Sequence, residues 1–434
     1  MKIFVKRSTM VRPEAETPSG SLWLSSLDLL MPATHHTRTV YFYRPDGGAA
    51  NFFDAAAMKA ALGRALVDFY PYAGRLRKDD NGRIEINCNA EGVLFVEADC
   101  DGAVVDLGGF GPRPDLNLVP KVDYSHGIST FPLFLMQLTR FKCGGVCLGI
   151  ANEHHISDGI SALHFINTLS DIARGHTTAA VPPFFDRGLL AARRPPQPQF
   201  PHIEYQPPPS LKTPLQNPET THSTFSLTPD HLNALKQACN GGAASGNRPD
   251  YTTYEAVAGH VWRCACMARR LPRNQETKLQ VPVDGRPRLR PPLPPGFFGN
   301  GIFYTTAVAL CGEMESEPLS FAAGKVHEAL ARIDDEYMRS ALDYLEVEVS
   351  DIYAIARSES NVKCPNLGVT SWVRLPLYEA DFGWGKPVYA GPAAIQFEGK
   401  CLLMVDRENE GGFSLQITLL KPHMELFHSL LYQI

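Results

Sequence analysis

Hydrophobic and polar residues follow two periods along this chain, and the two periods alternate. Short apolar or alternating runs predict strands, at 39–43, 83–88, 93–98, 131–141, 146–152, 224–227 and 413–419. The strands 131–141 and 146–152 flank Cys143-Gly144-Gly145, which predicts a hairpin. Runs with helical spacing predict helices, at 54–66, 160–174, 228–238, 251–268, 321–332 and 424–432, with Asp54 as the cap of the first and Thr228 or Asp230 as the cap of the third. Because strands and helices interleave in both halves, the pattern predicts a mixed α/β fold.

The periodic pattern stops between residues 181 and 218, where prolines cluster, as in Pro195-Pro196 and Pro207-Pro208-Pro209. Proline continues neither a helix nor a central strand, so this texture predicts an extended linker at 179–222. A single core rarely grows past about 300 residues, which favours two domains in a chain of 434 residues. We therefore expect domains at 1–178 and 223–434, with part of 370–395 packing on the first.

The amino-acid composition disfavours several classes of function. The formal net charge is −5, which disfavours a role in wrapping nucleic acid. No apolar run approaches the roughly 20 residues that a membrane helix needs, and the N-terminal residues lack the apolar core of a secretory signal. Ten cysteines are scattered without the spacing of a metal site, so we expect reduced thiols, no metal and a cytoplasmic location.

A histidine motif occupies the junction between a predicted strand and a predicted helix. Residues 152–159 read Asn-Glu-His-His-Ile-Ser-Asp-Gly, which places His154 and Asp158 with three residues between them. Side chains at such a junction point into clefts, because the chain turns there at a sheet edge. The segment has two interpretations: a functional histidine, or a helix cap at Ser157 or Asp158 beside an ordinary polar residue.

A second motif, Asp381-Phe382-Gly383-Trp384-Gly385, combines two glycines with an indole. This combination is typical of a tight loop with a buried anchor. No acid or base partner is adjacent in sequence, so Asp381 is interpreted as a carboxylate that fixes the loop.

Together the two motifs resemble those of the plant BAHD acyltransferase family, hydroxycinnamoyltransferase branch. The resemblance covers the whole chain and includes further segments, at 8–13, 69–75, 259–263, 284–286, 296–300 and 370–376. It implies two chloramphenicol-acetyltransferase-like domains joined by a long crossover, with an active-site channel between them. It also implies that no cofactor is bound permanently and that an acyl-CoA is the co-substrate.

The resemblance implies a role for each motif. His154 matches the general base, and an imidazole with a pKa near 6.5 suits proton removal from an alcohol. The orientation of His155 stays open. Asp158 and Gly159 match a structural loop whose aspartate pairs with Arg286. Asp381 is carried over as a catalytic proton acceptor, although a structural role agrees better with its surroundings.

The segment 370–374 matches the oxyanion and acceptor side of the family. Trp372 can donate its indole N–H to a developing oxyanion, or it can be a core residue. Arg374, with Thr370, matches the contact to an acceptor carboxylate, or it is a surface ion-pair residue. The remaining matches are to residues that contact CoA: Thr252, Thr253, Asp284, Gly285, Arg286, Arg288, Arg290 and Ser371. The basic stripe among them is also typical of a solvated face.

Three short segments of the sequence indicate which acceptor the enzyme uses. The segments 21–30, 67–72 and 152–158 are similar to branch members that esterify 4-hydroxyphenyllactate or 3,4-dihydroxyphenyllactate into rosmarinic-acid-type esters. Ile156 and Ser157 stand where shikimate-using members carry two alanines. We expect hydroxycinnamoyl-CoA (caffeoyl or p-coumaroyl) and a carboxylate-bearing hydroxy acceptor as substrates of a monomer without nucleic-acid or membrane partners. Shikimate or quinate transfer, a non-catalytic relative and a CoA-thioester hydrolase are the alternatives.

Overall fold

The computed structural model describes residues 1–32, 34–45, 51–212, 219–241, 250–347, 352–355 and 359–434. Residues 213–218 of the predicted linker, with Pro214 and Pro218, lie outside this part of the chain. The strands in chain order are β1 Ile3–Val11, β2 Gly20–Leu22, β3 His36–Tyr43, β4 Arg75–Lys78, β5 Ile84–Cys88, β6 Val93–Cys100, β7 Phe134–Phe141, β8 Val146–Glu153, β9 Thr220–Leu227, β10 Glu276–Asp284, β11 Ile302–Leu310, β12 Leu367–Ser371, β13 Tyr389–Pro392, β14 Lys400–Val405 and β15 Phe413–Leu420. The helices are α1 Ser26–Leu29, α2 Ala55–Asp68, α3 Gly159–Ala173, α4 Pro229–Asn240, α5 Thr253–Arg269, α6 Cys311–Ser316, α7 Leu319–Ala331, α8 Asp335–Val347, α9 Ile352–Ile355 and α10 Lys421–Leu431.

Helix starts are set by local capping, as the sequence predicted. The Asp54 carboxylate accepts a hydrogen bond from the backbone N–H of Ala57 and begins α2. The Thr228 hydroxyl accepts from His231 and begins α4, with Pro229 in the first turn. Both contacts satisfy backbone N–H groups that have no partner within the helix. The expected mixed α/β class and the predicted helices are confirmed.

The described chain divides into two compact units, and the first consists of Met1–Ala191, Leu293–Gly301 and Leu375–Ala394. Its main sheet has the described strand order β1-β6-β7-β8-β3-β13. The predicted hairpin is confirmed: β7 pairs antiparallel with β8, and Gly144 between them has a φ of +79°. Every residue of β8 is buried, which makes it a central strand leading to the histidine motif.

The second unit consists of Ala192–Pro292, Ile302–Arg374 and Ile395–Ile434. Its described sheet has the order β11-β10-β12-β14-β15-β9, in which β12 pairs parallel with both of its neighbours. Helix α5 supplies much of the core through fully buried residues such as Trp262. The Trp262 indole N–H donates to the Thr277 hydroxyl at 3.0 Å, which satisfies its polar edge.

The described part of the proline-rich segment makes packed contacts within each unit, whereas the sequence predicted an extended linker. Arg187 lies in a 3₁₀ turn, Arg187–Leu190, and is 2% exposed. Further along, Arg193 forms an ion pair with Asp343 of α8 at 2.7 Å, and His202 is fully buried. Buried charged residues need partners, so these contacts fix the segment to its surroundings. None of the described helices combines the length and the apolarity needed to cross a membrane.

Candidate active site

His154 follows directly on the last residue of β8 in the first unit. Its backbone N–H donates to the carbonyl oxygen of His35 at 3.1 Å. The rings of His35 and His154 are stacked, with centroids 6.0 Å apart and an angle of 27° between their planes. His154 is 9% exposed, so its imidazole lies just below the surface at the end of a buried strand.

His155 is oriented toward a buried carboxylate. Its backbone N–H donates to Glu153 Oε2 at 2.7 Å, and its Nδ1 lies 2.7 Å from Glu153 Oε1. Both residues are completely buried. The question that the sequence left open is therefore answered: His155 has a buried structural partner two residues away, whereas His154 follows the strand end and stacks on His35.

Asp158 caps helix α3 and holds a second segment of the same unit. Its Oδ1 accepts from the backbone N–H of Ser161 at 3.0 Å, and its Oδ2 accepts from the backbone N–H of Gly301 at 2.9 Å. The side chain is buried, and each oxygen has a backbone donor. These contacts agree with a structural role for Asp158, while its pairing with Arg286 stays a prediction.

Ser157 belongs to a buried polar cluster behind the motif. Its hydroxyl lies 2.7 Å from the Tyr72 hydroxyl and accepts from the Asn152 side-chain amide at 3.0 Å. Burial raises the pKa of Tyr72 well above its ordinary value, with the Ser157 hydrogen bond opposing the shift. An alanine at position 157 would leave these partners without that hydroxyl, so Ser157 affects the interior of the motif.

Sequence reasoning missed three residues: Asn300 and Arg187, which contact the backbone of the motif, and Asp28, which contacts both of them. The Asp28 carboxylate is fully buried and lies 3.1 Å from the guanidinium of Arg187. The Asn300 side-chain amide donates to the Asp28 carboxylate at 2.9 Å and to the carbonyl oxygen of His154 at 2.8 Å. Asp28 carried a detectable signal, since Ser25 and Asp28 form a capping box on α1. Arg187 carried none, because it stands among prolines, and Asn300 lies in the segment 296–300 that resembles the family, although no pattern gave it a role.

Asp381 fixes its own loop. Its Oδ1 accepts from the backbone N–H groups of Gly383 at 2.8 Å and Gly385 at 3.0 Å. The two glycines have φ values of +97° and +95°, a region that other residues rarely adopt. Trp384 between them packs its ring 4.8 Å from that of Phe53, but it is half-buried, so the buried anchor of the loop is Phe382 and not the indole that the sequence predicted.

The position of Asp381 separates it from the histidine motif. Its Oδ2 lies 3.9 Å from the guanidinium of Arg174, the residue that ends α3, whereas Asp158 begins the same helix. At about 1.5 Å per residue, the 15 residues of α3 span roughly 22 Å. Asp381 thus contacts the end of α3 opposite to the one that Asp158 caps, which favours the loop-fixing role over proton transfer at His154.

In the second unit, residues 370–374 form the end of β12 and the turn after it. The backbone N–H of Trp372 donates to the carbonyl oxygen of Leu403 at 2.7 Å, and the residue is half-buried. Thr370 accepts from the Lys400 ammonium at 2.8 Å. Ser371 and Arg374 are exposed. The indole and the guanidinium therefore belong to an exposed turn at a strand end.

The matches to CoA-binding residues in the second unit already have structural contacts. Thr252 forms a capping box with Glu255 at the start of α5, so its hydroxyl is engaged and Thr253 becomes the first helical residue. The Asp284 carboxylate accepts from the backbone N–H of Arg286 at 3.1 Å, and Gly285 follows it in the turn after β10.

The two arginines further along this turn contact backbone carbonyls. Arg288 donates to the carbonyl oxygens of Leu330 and Ile333, where α7 ends. Arg290 donates to the carbonyl oxygen of Pro287 at 3.0 Å and remains exposed. Cations at a helix C-terminus are stabilising, which gives Arg288 a structural reason to be there.

Comparison with known proteins identifies the family to which this chain belongs. The model of the Transferase family matches residues 1–433. Rosmarinate synthase of Plectranthus scutellarioides is 57% identical over 435 residues and 100% of both chains. Shikimate O-hydroxycinnamoyltransferase of Nicotiana tabacum is 54% identical over 440 residues, again covering 100% of both chains.

Two solved structures share the fold. Vinorine synthase superimposes with a TM-score of 0.74 at 22% identity, covering 99% of this chain and 98% of the other. F. sporotrichioides TRI101, complexed with coenzyme A and T-2, gives 0.73 at 18% identity, covering 95% and 97%. The family match over nearly the whole chain and the two relatives above half identity give one conclusion: this chain belongs to the Transferase family, the BAHD acyltransferases.

Proposed function

We propose that this chain transfers a caffeoyl or p-coumaroyl group from coenzyme A to the hydroxyl of 4-hydroxyphenyllactate or 3,4-dihydroxyphenyllactate. The observation that carries the proposal is the arrangement at the end of β8. His155 is turned into a buried contact with Glu153, and His154 follows at the strand end with its ring stacked on that of His35. The 57% identity to a rosmarinate synthase supports the acceptor class.

In this proposal His154 removes the proton of the acceptor hydroxyl while the oxygen attacks the thioester carbonyl. An alcohol is a weak nucleophile near neutral pH, so a positioned imidazole lowers the barrier. The carbonyl becomes a tetrahedral oxyanion, to which the Trp372 indole N–H donates. Collapse breaks the carbon–sulfur bond, and His154 returns the proton to the CoA thiolate. The products are the ester and free coenzyme A.

Arg374 is the proposed partner of the acceptor carboxylate, with Thr370 beside it. Guanidinium binds a carboxylate through two parallel hydrogen bonds. The exposure of Arg374 at the turn after β12 is consistent with a side chain that meets a ligand from solution. For CoA we propose the start of α5 at Thr252 and Thr253, because helix N-termini attract phosphate, with the turn 284–290 and Ser371 as further contacts.

A second candidate function is transfer to shikimate or quinate. It is favoured by the 54% identity to a shikimate O-hydroxycinnamoyltransferase, which is close to that of the first relative. Both candidate acceptors carry a carboxylate, so the same Arg374 contact serves either. Buried Ile156 and Ser157 beside the base are the features on which we base the preference for hydroxyphenyllactate.

We also propose a cytosolic enzyme. All ten cysteines are free thiols, and every one except Cys143 is buried. Thiols of this kind persist in a reducing compartment, where disulfides are rare.

The test is a product assay by mass spectrometry. Purified enzyme is incubated with caffeoyl-CoA and, in separate tubes, with hydroxyphenyllactate, shikimate, quinate or no acceptor. We expect the hydroxyphenyllactate ester to form at the highest kcat/KM. A dominant shikimate or quinate ester would establish the second candidate, and release of free caffeate without any ester would identify a thioester hydrolase.

A further inference from the structure

We infer that Asn300 and Arg187, held in place by Asp28, are positioning residues for the catalytic histidine. They lie in three separate parts of the first unit and converge on the backbone of residues 154–156. The inference rests on the proposed function, because it treats His154 as the base whose position matters.

Asn300 supplies the contact to the histidine itself. Its Nδ2 donates to the carbonyl oxygen of His154 at 2.8 Å and to Asp28 Oδ1 at 2.9 Å. The residue is fully buried, so water does not compete for these bonds. The Asp28 carboxylate thus fixes the position of the Asn300 amide group. The same amide group in turn holds the peptide group of His154, the residue that carries the imidazole.

Arg187 supplies the contacts to the next two peptides. Its guanidinium donates to the carbonyl oxygen of His155 at 3.1 Å and to that of Ile156 at 2.6 Å. The planar fork holds two N–H donors in a fixed geometry that matches these two carbonyl oxygens, which the rotatable ammonium of a lysine does not provide. A Cβ on Gly299 would lie 3.1 Å from Arg187 Nε, so a larger residue there would crowd the guanidinium.

Asp28 aligns both donors. Its Oδ1 accepts from Asn300 and lies 3.1 Å from Arg187, while its Oδ2 accepts from the backbone N–H and the hydroxyl of Ser25, both at 2.8 Å. A buried carboxylate with this many donors is fully compensated. The network therefore has one defined arrangement.

Three consecutive carbonyl oxygens, those of residues 154, 155 and 156, thus receive donors from this network. Such contacts restrict the rotation of the His154 peptide plane. They therefore also restrict the direction in which the imidazole points. Misplacing a catalytic group by about 1 Å can cost on the order of 100-fold in rate, so the network acts on turnover through His154.

The experiment compares two buried amides. Asn300→Ala removes the bond to His154 but leaves the Arg187–Asp28 ion pair. The matched control is Asn366→Ala in the second unit, where a buried side-chain amide donates to Pro209 and Ser360 and accepts from Lys278. We expect Asn300→Ala to lower kcat roughly 10- to 100-fold with KM for both substrates within about threefold. Asn366→Ala should lose stability comparably and keep its kcat.

A second measurement separates this inference from the proposed function. Backbone amide exchange of residues 154–158 should be at least about tenfold faster in Asn300→Ala and unchanged in Asn366→Ala. If wild type makes no ester with any acceptor, the proposed function fails, and this exchange result still decides whether the network holds the segment. Equal kcat in wild type and Asn300→Ala would overturn the inference.

Arg187→Lys is the second variant in case Asn300→Ala does not fold. The ammonium keeps a cation beside Asp28 but loses the double contact to the two carbonyls. We expect a loss in kcat with KM unchanged here as well. If neither variant folds while Asn366→Ala does, the network is required for folding rather than for positioning, and the inference is wrong.

Discussion

The histidine segment of the first unit and the turn after β12 in the second unit are held very differently. In the first, the carbonyls of residues 154–156 accept from buried Asn300 and Arg187. In the second, Trp372 is half-buried and Arg374 is exposed. A general base needs a fixed direction, whereas a contact to the acceptor carboxylate forms only when the acceptor binds. We therefore propose that the first region sets the rate of the chemical step and that the second recognises the carboxylate of the acceptor.

The largest effect is expected for His154→Ala. Loss of a general base costs on the order of 10²–10⁴ in rate, and more where the base also positions the nucleophile. The change removes an imidazole near the surface and none of the backbone contacts of the segment, so the melting temperature should change little. Ester formation is measured by mass spectrometry beside thermal unfolding. Turnover near that of wild type would falsify the role assigned to His154.

Arg374→Ala should lower kcat/KM for the acceptor and leave the KM for the acyl-CoA unchanged. Hydrogen bonds to a charged group contribute about 1.5–3 kcal/mol, so kcat/KM for the acceptor should fall roughly 10- to 150-fold. Because the side chain is exposed, stability should be unchanged. Steady-state kinetics with each substrate varied in turn measures the split. Arg374→Lys should recover part of the loss, and an equal rise in the KM for caffeoyl-CoA would move Arg374 to the CoA side.

Asp158→Ala should lower the free energy of unfolding. It removes the cap of α3 and leaves the Gly301 N–H without its carboxylate acceptor. A cap contributes about 0.5–2 kcal/mol and an unsatisfied buried donor costs about 1–3 kcal/mol, so the free energy of unfolding should fall by about 1.5–5 kcal/mol. Denaturant unfolding measures it, with Asp158→Asn as the milder control. Lost activity at unchanged stability would mean that Asp158 takes part in the chemistry.

The smallest effect is expected for Asp381→Asn. The amide oxygen still accepts from Gly383 and Gly385, and only the partly exposed contact with Arg174 is weakened, a change of about 0.2–1 kcal/mol. Turnover should stay within about twofold of wild type. A loss of 100-fold or more in kcat at unchanged unfolding midpoint would instead assign proton transfer to Asp381.

The features that the sequence predicted correctly depend on neighbouring residues. The caps at Asp54 and Thr228 bind N–H groups three residues away, and the hairpin between β7 and β8 follows from two glycines and two flanking strands. Periodicity depends on the same short range. For this reason the mixed α/β class could be predicted before any long-range contact was known.

The network behind His154 could not be predicted in this way. Asp28 and Asn300 are 272 positions apart, and Arg187 stands in a segment whose prolines indicated a linker. No periodic pattern connects such residues, because their contacts arise only when the chain returns to the first unit. The pairing of β13 with β3 is of the same kind. Similarity to the family identified the motif residues, and the structure was needed to find what holds them.

A competition assay tests the division between the two regions most directly. Caffeoyl-CoA is offered with equal amounts of hydroxyphenyllactate and its methyl ester, and the ratio of the two products is measured by mass spectrometry. We predict a ratio strongly favouring the acid for wild type, an unchanged ratio at a lower total rate for Asn300→Ala, and a ratio near one for Arg374→Ala. A shifted ratio in Asn300→Ala, or an unshifted ratio in Arg374→Ala, would contradict the account.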